Sequence, residues 1–307
     1  TVWLMMILGF IVTAGAAGHF LDPFSPERLV AVVTTVAVIA LGVTILAVQG
    51  VEGAGVEAPD AAPAGQQGAS AVEQTRFREA LTQVWSESQA RRFTVFVFVS
   101  MLAYSAQDLI LEPYAGIVFG LTPGESTKLA GVQNGGVLLG MLLLALLGST
   151  AWGRRLGSLQ TWTILGCIGS ALGLFVIAAG GTLGAAFPIQ PAVFALGLAN
   201  GLFAVAAIGS MMGLVAAGRQ RREGVRMGLW GAAQAIAFGL GGFLGTAAVD
   251  LARALMGDPV PAYATVFAAE AVLFLVSAAL AAWVTWPGPQ PRQAPALDPE
   301  GAVVETV

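Results

Sequence analysis

Apolar residues in this chain are gathered into long runs with almost no polar interruption, near 1–18, 29–48, 93–119, 126–148, 159–180, 192–217, 227–249 and 263–286. Each is long enough to cross about 30 Å of hydrocarbon as a helix, where only closed backbone hydrogen bonding is tolerated. The pattern predicts eight transmembrane helices and an all-α, polytopic membrane protein. Between the first two runs, HFLDPFSPER carries two prolines and several turn formers, which reads as a tight hairpin loop. From Gln49 to about Ser70 the chain turns to Gly, Ala, Pro and Gln without periodicity, the composition of a flexible linker. From Glu73 to Arg92, Phe77, Leu81, Val84 and Trp85 recur at helical spacing among charges. That spacing suits an amphipathic helix on the membrane surface or a solvated helix leading into the next span. The organisation is therefore two helices (1–48), a linker (49–92), six helices (93–286) and a proline-rich acidic tail (287–307).

Composition agrees with this reading. Hydrophobic residues make up 56% of 307 and charged ones 10%, against about 25% charged in soluble domains, and the mean hydropathy is +0.79. Placing 49–92 in the cytoplasm puts eleven of the fourteen Lys and Arg residues inside and leaves Arg28, Lys128 and Arg253 outside. The positive-inside rule thus orients every span and places the tail in the cytoplasm. Cys167 is the sole cysteine, which excludes an intramolecular disulfide, and one histidine with one cysteine supplies no metal cluster. GxSxG, CxxC, HExxH and P-loop patterns are absent from the sequence. No enzyme is indicated, and nothing basic enough for nucleic acid is present.

Acid inside an apolar run asks for a reason. In SMLAYSAQDLILEPYAG, Tyr104, Asp108 and Glu112 are four residues apart and share a helix face, with Pro113 just beyond. An intramembrane carboxylate costs about 2.5–3.5 kcal/mol even on lenient insertion scales and is by default a candidate functional site. At 1.5 Å per residue, Glu112 lies about 10 Å below the outer end of its helix. Gln133, Asn134, Asn200 and Glu270 reach a similar depth from the outer ends of theirs. These side chains form a polar layer in the outer half of the bundle and are the candidates for a polar pocket. The alternatives are interhelical hydrogen bonds for the three amides and a snorkelling or paired acid for Glu270. Gly131, Gly135 and Gly136 in GVQNGG, and Gly241, Gly242 and Gly245 in GLGGFLG, predict close helix packing.

Two helices, a long linker and six helices is the pattern left when four helices precede this segment in a six-plus-six transporter, the major facilitator architecture. The loop GSTAWGRRLG, with Gly148, Arg154 and Arg155, resembles that superfamily's cytoplasmic glycine-and-basic loop. The stretch Ser100 to Met141, SMLAYSAQDLILEPYAGIVFGLTPGESTKLAGVQNGGVLLGM, resembles the signature of the PucC/LhaA family within that superfamily, and the order of helices extends the resemblance over the chain.

The resemblance implies an assembly factor for photosynthetic light-harvesting complexes in the bacterial inner, intracytoplasmic photosynthetic membrane. Its implied cargo is bacteriochlorophyll. Its implied partners are antenna polypeptides and the reaction centre–LH1 complex, with core antenna (LH1) placed ahead of peripheral antenna (LH2). On this reading Glu112 and Asn134 lie near the pigment, and Asp108 with Tyr104 holds Glu112 in place. Many members carry histidine at the position of Asn134; an amide oxygen can still meet magnesium, which favours oxygen ligands. Two other functions stay open: a proton-coupled solute transporter using Asp108 and Glu112, and a pigment-free membrane scaffold.

Overall fold

The computed structural model describes residues 2–49, 82–150, 155, 157–216 and 223–284. Eight helices in it are long and apolar enough to cross a membrane, and the described residues contain no strand. The chain is an all-α, multi-pass membrane protein. In chain order the helices are α1 (Val2–Phe20), α2 (Pro26–Val48), α3 (Ser88–Phe119), α4 (Pro123–Ser149), α5 (Leu159–Gly180), α6 (Ile189–Ala216), α7 (Glu223–Met256) and α8 (Pro259–Trp283), with a short 3-10 helix, Gly181–Ala186, between α5 and α6.

The polar breaks set where helices start. Ser25 accepts from the Arg28 amide ahead of α2, and Ser158 from the Thr161 amide ahead of α5. Thr122 and Glu125 close a reciprocal capping box on α4, and Asp258 caps α8. Pro26, Pro123 and Pro259 occupy first-turn positions, where no intrahelical N–H is needed. Helix α3 ends at Gly120, whose φ of 70° is left-handed. It runs on through Pro113, which deprives the Leu109 carbonyl of its usual donor without ending the helix. It also starts earlier than the apolar run at 93. Residues 82–86 form a helical turn before it, with Val84 buried and Trp85 exposed. The remainder of the expected amphipathic segment, and Arg154, lie outside the described residues.

Helices α3 to α8 form one bundle. Helix α4 packs along α6, α6 along α5, α5 along α8, α8 along α3 and α3 along α7. Glycine decides the tightest of these contacts. A Cβ on Gly136 or Gly140 would collide with the Phe194 or Leu198 carbonyl of α6, and one on Gly197 or Gly201 with the Gln133 or Val137 carbonyl of α4. Two small-residue pairs four apart thus interlock backbone to backbone. Gly241 and Gly245 meet the α3 backbone at Leu102 and Ala106, and Gly242 the Leu109 side chain. Gly131 lies beside Ala14 of α1. Gly135 meets only the Phe194 ring edge at 4.0 Å, so the close approach expected there falls one residue later.

Polar contacts fasten both ends of the bundle. At one end, Arg226 is buried and donates to both oxygens of Glu87, Arg92 to the Trp283 carbonyl, and Gln160 to the carbonyls that end α8. At the other, Tyr114 Oη donates to the Ile177 carbonyl at 2.7 Å beneath a cluster with Phe119, Tyr263 and Phe267. Helix α1 is added to this bundle along α4. Its following loop is tied there by Asp22, which accepts from Lys128 Nζ at 2.8 Å and from Thr122 Oγ1 at 3.0 Å. Helix α2 has no buried residue.

Candidate functional site

A cavity of about 300 Å³ lies between α1, α3, α4 and α7. Helix α3 supplies Tyr104, Asp108, Leu111 and Glu112, which share a face because they are spaced by four, three and one residues. Helix α4 supplies Ser126, Leu129, Ala130, Gln133 and Asn134. Trp3, Met6, Ile7 and Phe10 of α1 and Phe238 of α7 make the apolar wall. Five of the seven polar residues expected to share a pocket therefore do so, from two helices that the sequence could not orient relative to each other.

Within the cavity the amides divide the work. Gln133, buried, donates from Nε2 to Asp108 Oδ1 at 3.2 Å and so fixes one carboxylate oxygen. Asn134 Nδ2 donates back to the Ala130 carbonyl at 2.9 Å. Only the NH2 end of an amide can face a carbonyl, so this bond turns Asn134 Oδ1 away from its own helix. Asp108 and Glu112 are both accessible on the cavity wall. Glu112 accepts no hydrogen bond from the described residues. Asp108 is thus held by Gln133, and Tyr104 packs its ring against Phe238 at 6.0 Å; neither is hydrogen-bonded to Glu112, which the two were expected to hold in place. The site offers carboxylate and amide oxygens on one side and aromatic and aliphatic surface on the other. That arrangement suits a largely apolar ligand with one or two polar points, or a hard cation carried by such a ligand.

Asn200 and Glu270 are not part of this cavity. Both are buried in the bundle, Asn200 accepting from Ser170 Oγ at 2.7 Å, and depth along a helix could not reveal that they face away from the pocket. His19 is exposed at the end of α1 beside Phe20. The sequence reading missed Trp3, Met6 and Phe10. Their run is apolar on every side, and nothing in it marks which side meets α4.

A profile of the family described as PUCC protein matches residues 1–287. The chain belongs to that family. Among curated relatives, the bacteriochlorophyll synthase 44.5 kDa chain of Rhodobacter capsulatus is 52% identical over 92% of this chain and 62% of its own length. Protein PucC of the same organism is 29% identical over 91% of this chain and 58% of its own. Protein PucC of Cereibacter sphaeroides is 26% identical over 89% and 57%. The chain spans about three fifths of the length of these relatives. No solved structure matches it. Family membership agrees with the resemblance carried by Ser100 to Met141, the stretch that contributes all the α3 and α4 residues of the cavity.

Proposed function

We propose that this chain is part of an assembly factor for photosynthetic light-harvesting complexes, and that the α1–α3–α4–α7 cavity holds bacteriochlorophyll on its way to antenna polypeptides. The observation that carries the reading is the cavity itself: oxygen donors on α3 and α4 opposite an apolar, aromatic wall, in a family with a relative named for bacteriochlorophyll. At about 300 Å³ the cavity is at the small end of ligand sites. It admits an edge of the macrocycle with its polar substituents, and the rest of the pigment lies along the lipid-facing side of α1 and α3. Glu112 or Asn134 Oδ1 faces the magnesium as a single oxygen donor, and Asp108, steadied by Gln133, receives a hydrogen-bonding substituent or an axial water. One weak oxygen ligand suits a carrier that must release its cargo. The partners on this reading are antenna polypeptides of LH1 ahead of LH2, in the photosynthetic membrane, and the protein catalyses no reaction.

The test is pigment extraction and an absorption spectrum on the gently purified protein, free of antenna subunits. Near-stoichiometric bacteriochlorophyll is expected, falling several-fold in Glu112→Ala and Asn134→Ala. A colourless protein that still co-purifies with antenna polypeptides would replace the carrier with a scaffold.

A further inference from the structure

Glu270 is 3% exposed, and neither carboxylate oxygen has a hydrogen-bond partner among the described residues. The same holds for both ends of the Gln107 amide, 0% exposed, and for Nδ2 of Asn200, also 0% exposed. Buried polar groups are nearly always paired, and a buried charge without partners is costly enough to demand a neutralising species.

The helix register brings these residues together. Tyr114 of α3 and Tyr263 of α8 pack with ring centroids 5.4 Å apart. The two helices are antiparallel, and Gln107 and Glu270 each lie seven residues from that pair, toward the middle of the bundle. Seven residues return to the same face two turns on, about 10 Å along each axis. Gln107 and Glu270 therefore lie at one depth, on the faces of α3 and α8 that carry the two tyrosines. Phe203 of α6 and Phe274 of α8 pack at 6.2 Å, and Asn200 and Glu270 each lie about one turn from that pair in the same direction. Gln107, Asn200 and Glu270 thus lie at one depth on three helices of the bundle, with Ser170 bonded to Asn200 and no hydrogen bond among the three.

No basic side chain serves as counter-charge. Every described Lys and Arg lies within two turns of a helix end, and Arg226 is engaged by Glu87. On the helices packed against α8, the titratable groups in the middle of the bundle are Tyr104, Asp108, Glu112 and Tyr114 on α3 and Cys167 on α5, with Tyr263 on α8 itself, while α7 carries none away from its ends.

We infer that Glu270, Gln107 and Asn200 form a second, buried site that binds a single exchangeable positive charge, a proton or a sodium ion. One carboxylate matches one unit of charge. Carboxylate and amide oxygens are the hard donors a sodium ion takes, and the amide N–H groups serve equally as donors to a carboxyl group. The inference is independent of the pigment reading, because Glu270 does not line the cavity.

The experiment measures thermal unfolding of the purified full chain in sodium chloride against equimolar choline chloride, together with an infrared difference spectrum on acidification. If sodium is the ligand, its salt raises the unfolding midpoint by a few degrees, by mass action on the folded state, and Glu270→Gln abolishes the rise while Glu112→Gln keeps it. If a proton is the ligand, sodium and choline are equivalent, and a carboxylic acid carbonyl band persists in Glu112→Gln and disappears in Glu270→Gln. Should Glu270→Gln fail to fold, Gln107→Leu must weaken the sodium response or shift the carbonyl band. Wild-type protein with neither signal, or either signal unchanged in Glu270→Gln or, where that fails to fold, in Gln107→Leu, overturns the site.

Discussion

Asp108 sits on the cavity wall with one oxygen held by an amide from the next helix, and the two groups depend on each other. Asp108→Ala leaves the buried Gln133 amide without its acceptor, and a lost partner of that kind costs about 1–3 kcal/mol. Asp108→Asn retains an acceptor oxygen for Gln133 and is expected to lose little stability. Tryptophan-fluorescence melting of the two variants checks this contrast. If both melt alike, Gln133 is not relying on Asp108. Pigment yield separates a second role: Asp108→Asn lowers it only if the charge itself, beyond the hydrogen bond, meets the cargo.

Helix α4 is apolar almost throughout, and its glycines decide which side meets α6. Gly135 and Gly136 are neighbours with opposite expectations. Alanine at 135 meets only a ring edge at ordinary contact distance and gains up to about 1 kcal/mol of helix propensity over glycine. At 136 the added methyl runs into the Phe194 carbonyl, backbone that cannot rotate aside, and overpacking of this kind costs about 1–3 kcal/mol. Paired melts of Gly135→Ala and Gly136→Ala should move in opposite directions. Equal shifts would mean that α4 and α6 are not interlocked. The same logic explains the expected close approach that failed at Gly135: GVQNGG contains two small-residue pairs four apart once Gly140 is counted, and only the partner glycines Gly197 and Gly201 select the pair that is used.

Among the described residues, α1 joins the six-helix bundle mainly along α4, and Asp22 ties the loop that follows it. Hydrogen bonds from Lys128 and then Thr122 hold the Asp22 carboxyl below its ordinary value, since both favour the charged form. A group whose value is lowered on folding stabilises the fold above its unfolded value and loses that contribution as pH falls through the folded one. The attachment of α1 is thus expected to be complete at neutral pH and to weaken below about pH 4, near the ordinary aspartate value. Asp22→Asn should already be weakened at neutral pH and respond less to acid. Because Trp3, Met6, Ile7 and Phe10 of α1 wall the cavity, a spectroscopic label on α1 reporting its distance to α4 reads attachment directly. A distance that is the same at pH 7 and pH 3.5 would remove Asp22 from this role.

The sequence by itself determined the eight spans and the residues worth suspecting. Hydrocarbon length, proline and hydroxyl caps, and the cost of acid in lipid are all local, so Tyr104, Asp108 and Glu112 on one face of α3, and Gln133 and Asn134 on α4, could be singled out one helix at a time. Family membership was legible in the same forty residues. Only the tertiary structure decided which faces meet. A membrane helix that is apolar all round carries no stripe to orient it, so depth grouped Asn200 and Glu270 with the cavity residues while the helix rotations buried them elsewhere. The apolar wall from α1, set beside Gly131 of α4, and the Gln133 bond to Asp108 both follow from how helices are rotated against one another, which no single run of residues records.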